Sequence, residues 1–437
     1  MIRVSTVSLF QQSLSMMNRQ QSDFLHVSQQ IASGRRVITP ADDPQDASRA
    51  VRVSQAQASN QQYADSRVSA RTSLALTETT LNSTSDTIIR AKSLLVQAAS
   101  DTLSDSDRKA VAADLNGLYE ALIGQANSTD GNGRYIFGGY NDESPPFVRG
   151  STDAGIASVE YRGDDQVRQQ RIDSARLMAV SDTGKGLFQS LPSGTTNYVA
   201  RAAREGAGAI DLGTQQGFVR NEGTVTFSGP NRTDTGAADF GRPFTLTFNV
   251  DDSLDPPVTT FSVTAPDADG HAEEILGAQP YESGEAVSFG GISITLKGDP
   301  ADGDQIQLRE ADDPAANQDV FKTLKDAIDV LELDQQGSEA IHAHVSNTIS
   351  SAMRELDNSL DNVLTRRASV GARLNELDLV DRVSDSQMQS YDQTMSNLVD
   401  LDYGEAISEY SLRQVGLQAA QRTFVEVQGM SLFDFMR

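Results

Sequence analysis

Thirteen prolines are spread so unevenly over 437 residues that their placement constrains the fold more than any other feature. None lies between Gln45 and Ser144, none between Ala315 and Arg437, and nine fall between Leu191 and Pro314. Proline breaks helix interiors and is excluded from central strands. Two long proline-free arms, suited to uninterrupted helices, therefore flank a proline-bearing insert. The length corresponds to roughly three domains at about 150 residues each and suffices to bury a real core.

The arms carry helical periodicity. At 4,3 spacing the first segment presents Phe10, Leu14, Met17, Gln21, Phe24, Ser28 and Ile31, five of seven apolar, a coiled-coil-like seam. Ser33-Gly34 and Thr39-Pro40-Ala41-Asp42-Asp43-Pro44 interrupt it, with Asp43 placed to cap a second helix that has Pro44 in its first position. That helix is predicted from about Gln45 to Ala99. Its seam runs Ala56, Asn60, Tyr63, Arg67, Ala70, Leu74, Thr77, Leu81, Thr84, Ile88, Ala91, Leu95, Ala98, nine of thirteen apolar. Such a length exceeds the globular mean and suggests a rod. A shorter helix is predicted from about Ser104 to Ser128, with Asp105 and Asp107 in its first turn. The C-terminal arm repeats the pattern through Val345, Ile349, Ala352, Leu356, Ser359, Val363, Arg366, Val370, Arg373, Leu377 and Val380, continuing to Tyr391, Leu398 and Leu401. After a break near Asp402-Tyr403-Gly404, a last helix carries Ile407, Tyr410, Leu417 and Phe424 and ends in Leu432-Phe433-Asp434-Phe435.

Between the arms the period falls from about 3.6 to 2. Strands are predicted at Thr224–Ser228, Phe244–Val250, Thr260–Thr264, Ile292–Leu296 and Gln305–Leu308, with Gly, Pro and Asp turns between them. A smaller hairpin is predicted to pair Arg134–Phe137 with Ser158–Arg162. The expected fold class is thus mainly α with a β-rich insert. The expected parts are a terminal helical assembly domain (1–44 with 402–437), a helical rod with a β-hairpin (45–190 with 315–401) and an outer β-rich acidic domain (191–314).

Charge and composition exclude several function classes. The formal net charge is −25, which leaves no basic stripe for nucleic-acid phosphates. Residues 251–313 hold 15 acids and 2 bases, net −13, while 1–50 hold 4 acids and 5 bases and 401–437 hold 5 and 3. The ends are nearly neutral, as surfaces that pack against copies of themselves would be, and the insert is solvated. With no cysteine, disulfides, thiolate metal sites and Cys nucleophiles are excluded. Tryptophan is also absent and aromatics are only 6%, a poor supply for lining an enzyme pocket. No stretch of 18 apolar residues spans a membrane. The N-terminus has no apolar signal-peptide core, so a cytoplasmic protein, or one exported intact, is expected.

Motifs for chemistry are missing or incomplete. Gly131-x-Gly133 has no third glycine at the dinucleotide-binding spacing. Asp267-x-Asp269-Gly270 resembles the middle of a calcium loop, but Ala265 and Leu276 occupy the positions that need acids, so a turn is expected. His342 and His344 face opposite ways on a helix and are expected to be a solvated pair. His26 is expected at a surface or interface. No catalytic constellation, metal site or cofactor site is indicated.

The terminal helices require another explanation. Met1–Ile31 is rich in Gln and Ser, and a short helix of that kind is marginal alone. Its stability should come from tertiary or intersubunit packing, so ordering that depends on assembly is expected. The expected interface residues are Phe10, Leu14, Met17, Phe24 and Ile31 from one end, and Ile407, Tyr410, Leu417, Phe424, Leu432 and Phe433 from the other.

Several segments resemble the bacterial flagellin family of axial proteins. They are Met1-Ile2-Arg3-Val4-Ser5-Thr6, Ile31-Ala32-Ser33-Gly34-Arg35-Arg36-Val37 and Pro40-Ala41-Asp42-Asp43-Pro44, with Leu417-Gln418-Ala419-Ala420 and Ser431-Leu432-Phe433-Asp434-Phe435 at the other end. Four details resemble the hook–filament junction branch of the family more than its filament-forming members: Pro44-Gln45-Asp46-Ala47, Gly133-Arg134-Tyr135-Ile136-Phe137-Gly138-Gly139, the Pro145-Pro146-Phe147 and Tyr161-Arg162-Gly163-Asp164 pair, and Gly298–Asp304. The likeness covers both arms and only loosely the insert. It implies an out-and-back, flagellin-like helical rod with paired terminal helices and an outer all-β domain. The implied function is a structural adaptor, not an enzyme, joining hook to filament. The implied partners are copies of itself in a ring, the adjoining hook-associated junction protein, flagellin, and a cytoplasmic export chaperone at the C-terminal region, with type III export to the flagellum outside the cell. No cofactor, nucleic acid or membrane insertion is implied. Two other readings are a filament subunit and a secreted enzyme built on the insert. The enzyme would need a metal or carboxylate cluster in 191–314, which holds a single histidine, His271.

Overall fold

The structure is a computed structural model that describes residues 6–100, 103–151, 157–190, 197–205, 218–253, 257–267, 269–311, 313, 319–334 and 338–433. The helices are α1 (Thr6–Ser33), α2 (Pro44–Ala98), α3 (Asp105–Ala126), α4 (Gly184–Phe188), α5 (Val320–Glu332), α6 (Glu339–Val399) and α7 (Tyr403–Phe433). The chain packs as two compact units, Met1–Arg67 with Asp378–Arg437 and Val68–Leu377. Helices α2 and α6 run through both.

In the second unit the α2 seam is a buried stripe. Ala70, Leu74, Thr77, Leu81, Thr84, Ile88, Ala91, Leu95 and Ala98 are all buried at strict 4,3 spacing. On α6 the matching stripe is Val345, Ile349, Ala352, Leu356, Ser359, Val363, Val370 and Leu377, also buried. Each fully buried Leu or Ile contributes roughly 1.5–3 kcal/mol. The hydroxyls in the stripes are tolerated because they bond back to their own helix. Thr77 Oγ1 donates to Ser73 O and Thr84 Oγ1 to Thr80 O, each at 2.9 Å. Ion pairs Lys92–Asp357 and Arg367–Glu78 set α2 antiparallel to α6 here. Helix α3 starts on the expected acids: Ser104 and Asp107 form a capping box.

The hairpin differs from expectation. The second arm, β2 (Ala157–Tyr161), pairs with β1 (Phe147–Ser151), not with Arg134–Phe137. The latter segment instead feeds side chains into an aromatic cluster. Phe137 and Phe147 lie 5.6 and 5.3 Å from Phe188, and Phe188 stacks on Phe321 at 5.6 Å. The Tyr161 ring lies 5.2 Å centroid to centroid from Phe147, and its Oη donates to Phe137 O at 3.0 Å or Asp164 O at 2.9 Å. Gly138 is required because a Cβ there would stand 2.5 Å from Asn141 O. A second hairpin, β3 (Gln169–Asp173) with β4 (Arg176–Ala179), follows.

The insert consists of β5 (Tyr198–Ala202), β6 (Arg204–Glu205), β7 (Phe218–Val219), β8 (Thr226–Arg232), β9 (Phe244–Asp251), β10 (Val258–Pro266), β11 (Ala272–Pro280), β12 (Ala286–Phe289), β13 (Ile292–Lys297) and β14 (Gln305–Glu310). All five predicted strands are present, as β8, β9, β10, β13 and β14. They form an antiparallel five-stranded sheet, β11-β10-β9-β14-β5, and a three-stranded sheet, β12-β13-β8. Alternate residues Phe244, Leu246, Phe248, Phe261, Val263, Ile292, Ile294, Leu296, Ile306 and Leu308 join in one core between them. Asp304, fully buried, explains the glycine- and aspartate-rich run 298–304. Its carboxylate accepts from Glu222 N, Gly223 N and Ala301 N, each at 2.9 Å. Asp267, Asp269 and Gly270 are in a turn, as expected: Asp267 Oδ1 accepts from Asp269 N and His271 N, and Gly270 has φ +84°.

The insert is tied to α6 by side chains one turn apart. Asn347 Nδ2 donates to Val225 O at 2.8 Å, and Asn347 Oδ1 accepts from Phe227 N at 3.0 Å. Ser351 Oγ donates to Ala200 O at 2.6 Å. The histidine pair also departs from expectation. His342 is exposed, whereas His344 is turned inward, and burial pulls its pKa down to about 4.

Candidate assembly interface

The first unit is built around the breaker between α1 and α2. Gly34, at φ +69°, ends α1 in a conformation other residues rarely adopt. Arg36 then reaches the end of α6. Its backbone N donates to Val399 O at 2.7 Å, its Nη2 donates to Leu398 O at 2.7 Å, and it pairs with Asp46 at 2.6 Å. Leu401 N returns a bond to Gly34 O at 3.0 Å. The two aspartates have separate tasks. Asp42 Oδ2 accepts from Ile38 N and Thr39 N, while Asp43 Oδ1 accepts from Gln45 N and Asp46 N and so caps α2. These backbone bonds hold both carboxyls below their ordinary pKa. His26, half-buried, lies 3.8 Å from Asp42.

Within this unit a polar cluster interrupts the α2–α6 seam. Arg67, 2% exposed, ion-pairs with Asp381 and donates to Ser384 Oγ at 2.7 Å. Ser384 Oγ donates to Asn60 Oδ1 at 2.7 Å. The two strongly polar residues of the predicted seam, Asn60 and Arg67, are therefore partners in one network.

Helices α1 and α7 pair antiparallel within one chain. The rings of Phe24 and Tyr410 stand 4.9 Å apart, Arg413 Nη1 meets Asp23 at 2.8 Å, and a Cβ on Gly416 would stand 3.1 Å from Gln20 Oε1. Along α7 the covered seam is Ala406, Tyr410, Arg413, Leu417, Ala420 and Phe424, at 4,3 spacing. The opposite side is also apolar and uncovered: Ile407 is 54% exposed, Leu412 72%, Val415 64% and Val425 64%.

Of the sequence-predicted interface residues, Phe24 and Tyr410 touch each other. Met17, Ile31, Leu417 and Phe424 are half-buried, and Leu14 and Ile407 are exposed. The side chains of Phe10, Leu432 and Phe433 lie outside the described residues. Sequence reasoning missed Leu412, Val415 and Val425. Their signal is apolar residues falling outside the seam of an otherwise amphipathic helix. It also missed Arg36 and Asp23, whose partners are distant in sequence.

Among the described residues, five apolar side chains of this unit are buried: Val27, Val37, Val380, Val399 and Ala406. Eleven large ones are exposed: Leu14, Met16, Leu25, Val51, Leu379, Val383, Tyr403, Ile407, Leu412, Val415 and Val425. The balance is the reverse of a self-sufficient core. No helix among the described residues is long and apolar enough to cross a membrane.

Residues 4–142 match the bacterial flagellin N-terminal helical region. Flagellar hook-associated protein 3 of Salmonella typhimurium is 30% identical over 436 residues, covering 100% of both chains. The Escherichia coli protein of the same name is 29% identical with the same coverage. Among solved structures, FlgL of Xanthomonas campestris is 25% identical, with a TM-score of 0.62, covering 79% of this chain and 99% of its own. With a full-length relative at this identity and a shared fold, the chain belongs to the flagellar hook-associated protein 3 (FlgL) family, whose members are structural components of the flagellum and not enzymes.

Proposed function

We propose that this chain is an adaptor ring subunit that joins the hook, through the adjoining junction protein, to the first turn of flagellin. The observation that carries the reading is the first unit's inverted apolar balance, above all the uncovered side of α7. The terminal segments (1–44 with 402–437) act as the assembly part, 45–190 with 315–401 as the rod, and 191–314 as the outer domain. Of the predicted interface residues, Met17, Phe24, Ile31, Tyr410, Leu417 and Phe424 make the α1–α7 pair, while Leu14 and Ile407, with Leu412, Val415 and Val425, meet neighbouring subunits, and Phe10, Leu432 and Phe433 belong to the same assembly interface. The C-terminal region is the segment a cytoplasmic chaperone holds before type III export, and the mature ring lies outside the cell. Membership of the hook-associated protein 3 family supports the site in the flagellum, and the nearly neutral ends support tight packing, because unpaired buried charge is costly.

Leu412→Glu and Val415→Glu test the reading. Both positions face away from α1, so monomer stability should change by less than about 0.5 kcal/mol. Flagella rebuilt with either variant in cells lacking the native chain should carry hooks without filaments. Normal filaments on both variants would refute this interface. Leu417→Asp should also block assembly, with the second unit's melting unchanged.

A further inference from the structure

Two crossings connect the terminal helices of the first unit to its long helices. Residues 400–402 join α6 to α7, and residues 34–43 join α1 to α2. The crossings are bonded side by side: Arg36 N donates to Val399 O at 2.7 Å and Leu401 N to Gly34 O at 3.0 Å. Two adjacent backbone bonds make an axle, since a few loop residues at element ends absorb a large change in backbone angle. They do not by themselves choose an angle. That choice needs an arm that leaves the axle and grips the helices on both sides.

Arg36 supplies the arm. Its carbonyl accepts from Gln30 Nε2 at 2.7 Å, which ties it to α1. Helix α1 is in turn tied to α7 by the Phe24–Tyr410 contact and the Arg413–Asp23 pair. The Arg36 guanidinium grips the long helices instead. Its Nη2 donates to Asp46 Oδ2 at 2.6 Å, in the first turn of α2, and to Leu398 O at 2.7 Å, in the last turn of α6. Carbonyls of a last turn have no partner inside their own helix, so Leu398 O is available. The rest of the crossing has its own supports: Asp42 Oδ2 accepts from Ile38 N and Thr39 N, and Asp43 Oδ1 from Gln45 N and Asp46 N. Arg36 is only half-buried. A pair this accessible favours one arrangement by roughly fivefold. That is enough to select an angle and little enough for contacts in an assembly to reset it.

We propose that Arg36 is the positioning residue of this unit: its guanidinium latches the α1–α7 pair at one angle to α2 and α6, and the pair pivots on residues 400–402 when the latch is released. The use of that angle in a ring rests on the assembly role proposed above, whereas the angle itself belongs to a single chain.

Double electron–electron resonance on the full chain tests the latch. The chain has no cysteine, so spin labels at Met16→Cys on α1 and Val51→Cys on α2, both exposed, meet no competing thiol. This pair should show one dominant distance, and Arg36→Gln should spread it over a range about twice as wide. Arg36→Lys, which keeps the charge but not the planar fork, should fall between the two. Labels at Leu25→Cys and Gln414→Cys, one on each member of the α1–α7 pair, should report the same distance in all three backgrounds. Widening at this second pair as well would show that the helices part rather than swing, which overturns the latch. So would an Arg36→Gln distribution as narrow as the native one, or a broad native one, since nothing would then be held at one angle. Should Arg36→Gln fail to fold, Asp46→Asn decides by the same reading, because it removes the acceptor's charge at nearly equal size. Flagella rebuilt with Arg36→Gln in cells lacking the native chain should bear fewer filaments. A widened distribution with normal filaments would leave the latch standing and refute the use of its angle in the junction.

Discussion

Asp319 shows how a single side chain can hold conflicting demands. It caps α5, accepting from Phe321 N at 2.8 Å and Lys322 N at 3.3 Å, and takes a further bond from Gln189 Nε2 at 2.7 Å. Burial nevertheless outweighs these bonds and raises its pKa to about 6. An unfolded Asp titrates near about 3.9. Between those values the folded state binds more protons than the unfolded one. This group's contribution to stability is therefore full below the unfolded value and is lost as pH rises through about 6. Asp319→Asn should gain about 1–3 kcal/mol relative to the native chain between pH 4 and pH 7, read from urea midpoints at both pH values; a flat difference would show that the carboxyl is not held protonated. His344 acts in the opposite sense, since its depressed pKa lowers stability as pH falls through the range from about 6.5 to about 4. Asn347 is simpler. Its amide serves two insert backbone groups, and Asn347→Ala leaves both without it, at about 1–3 kcal/mol. Hydrogen exchange at Phe227 should rise in that variant and not near Leu81.

At the scale of the element, the long helices owe their register to polar exceptions as much as to the apolar stripe. A continuous 4,3 repeat is compatible with sliding by a heptad. The Asn60, Arg67, Asp381 and Ser384 network has one alignment, which is the best-attested role for buried polar groups in paired helices. Arg67→Ala should lower stability by about 3 kcal/mol, because Asp381 and Ser384 lose their donor. Urea denaturation with cross-strand cysteine pairs on α2 and α6 would read both the loss and any slip, and unchanged stability would argue that the network is incidental. Much of this level was legible in advance. The seams, the Asp43–Pro44 start and the five strands appear where the periodicity places them. Helix α5 carries the same 4,3 signal in Val320, Leu324, Ala327 and Leu331, ahead of the expected start of the C-terminal seam at Val345. The segment Arg134–Phe137 misled because β-rich composition suits a buried irregular segment as well as a strand.

At the scale of the whole molecule, the two units divide labour by how they treat apolar surface. The second buries long stripes and a sandwich core, whereas the first leaves most of its large apolar residues uncovered. Replacing 191–314 by a short flexible linker removes the contacts that Asn347, Ser351 and Glu355 make with the insert. The shortened chain should melt at a lower temperature yet still support filament growth. Loss of filaments from that deletion alone would assign the insert a direct part in the junction. Proline placement, heptad spacing, capping and turn chemistry are local properties, and from them the helices, the breaker and the strands follow without reference to the rest of the chain. Their partners do not follow. That Arg36 ends on Leu398 O, that Asn347 holds Phe227, that Asp304 gathers the distant amides of Glu222 and Gly223 and that one apolar side of α7 stays bare are set by contacts between residues far apart in sequence. A polar side chain's local pattern says that it needs a partner, but only packing in three dimensions brings one within about 3 Å.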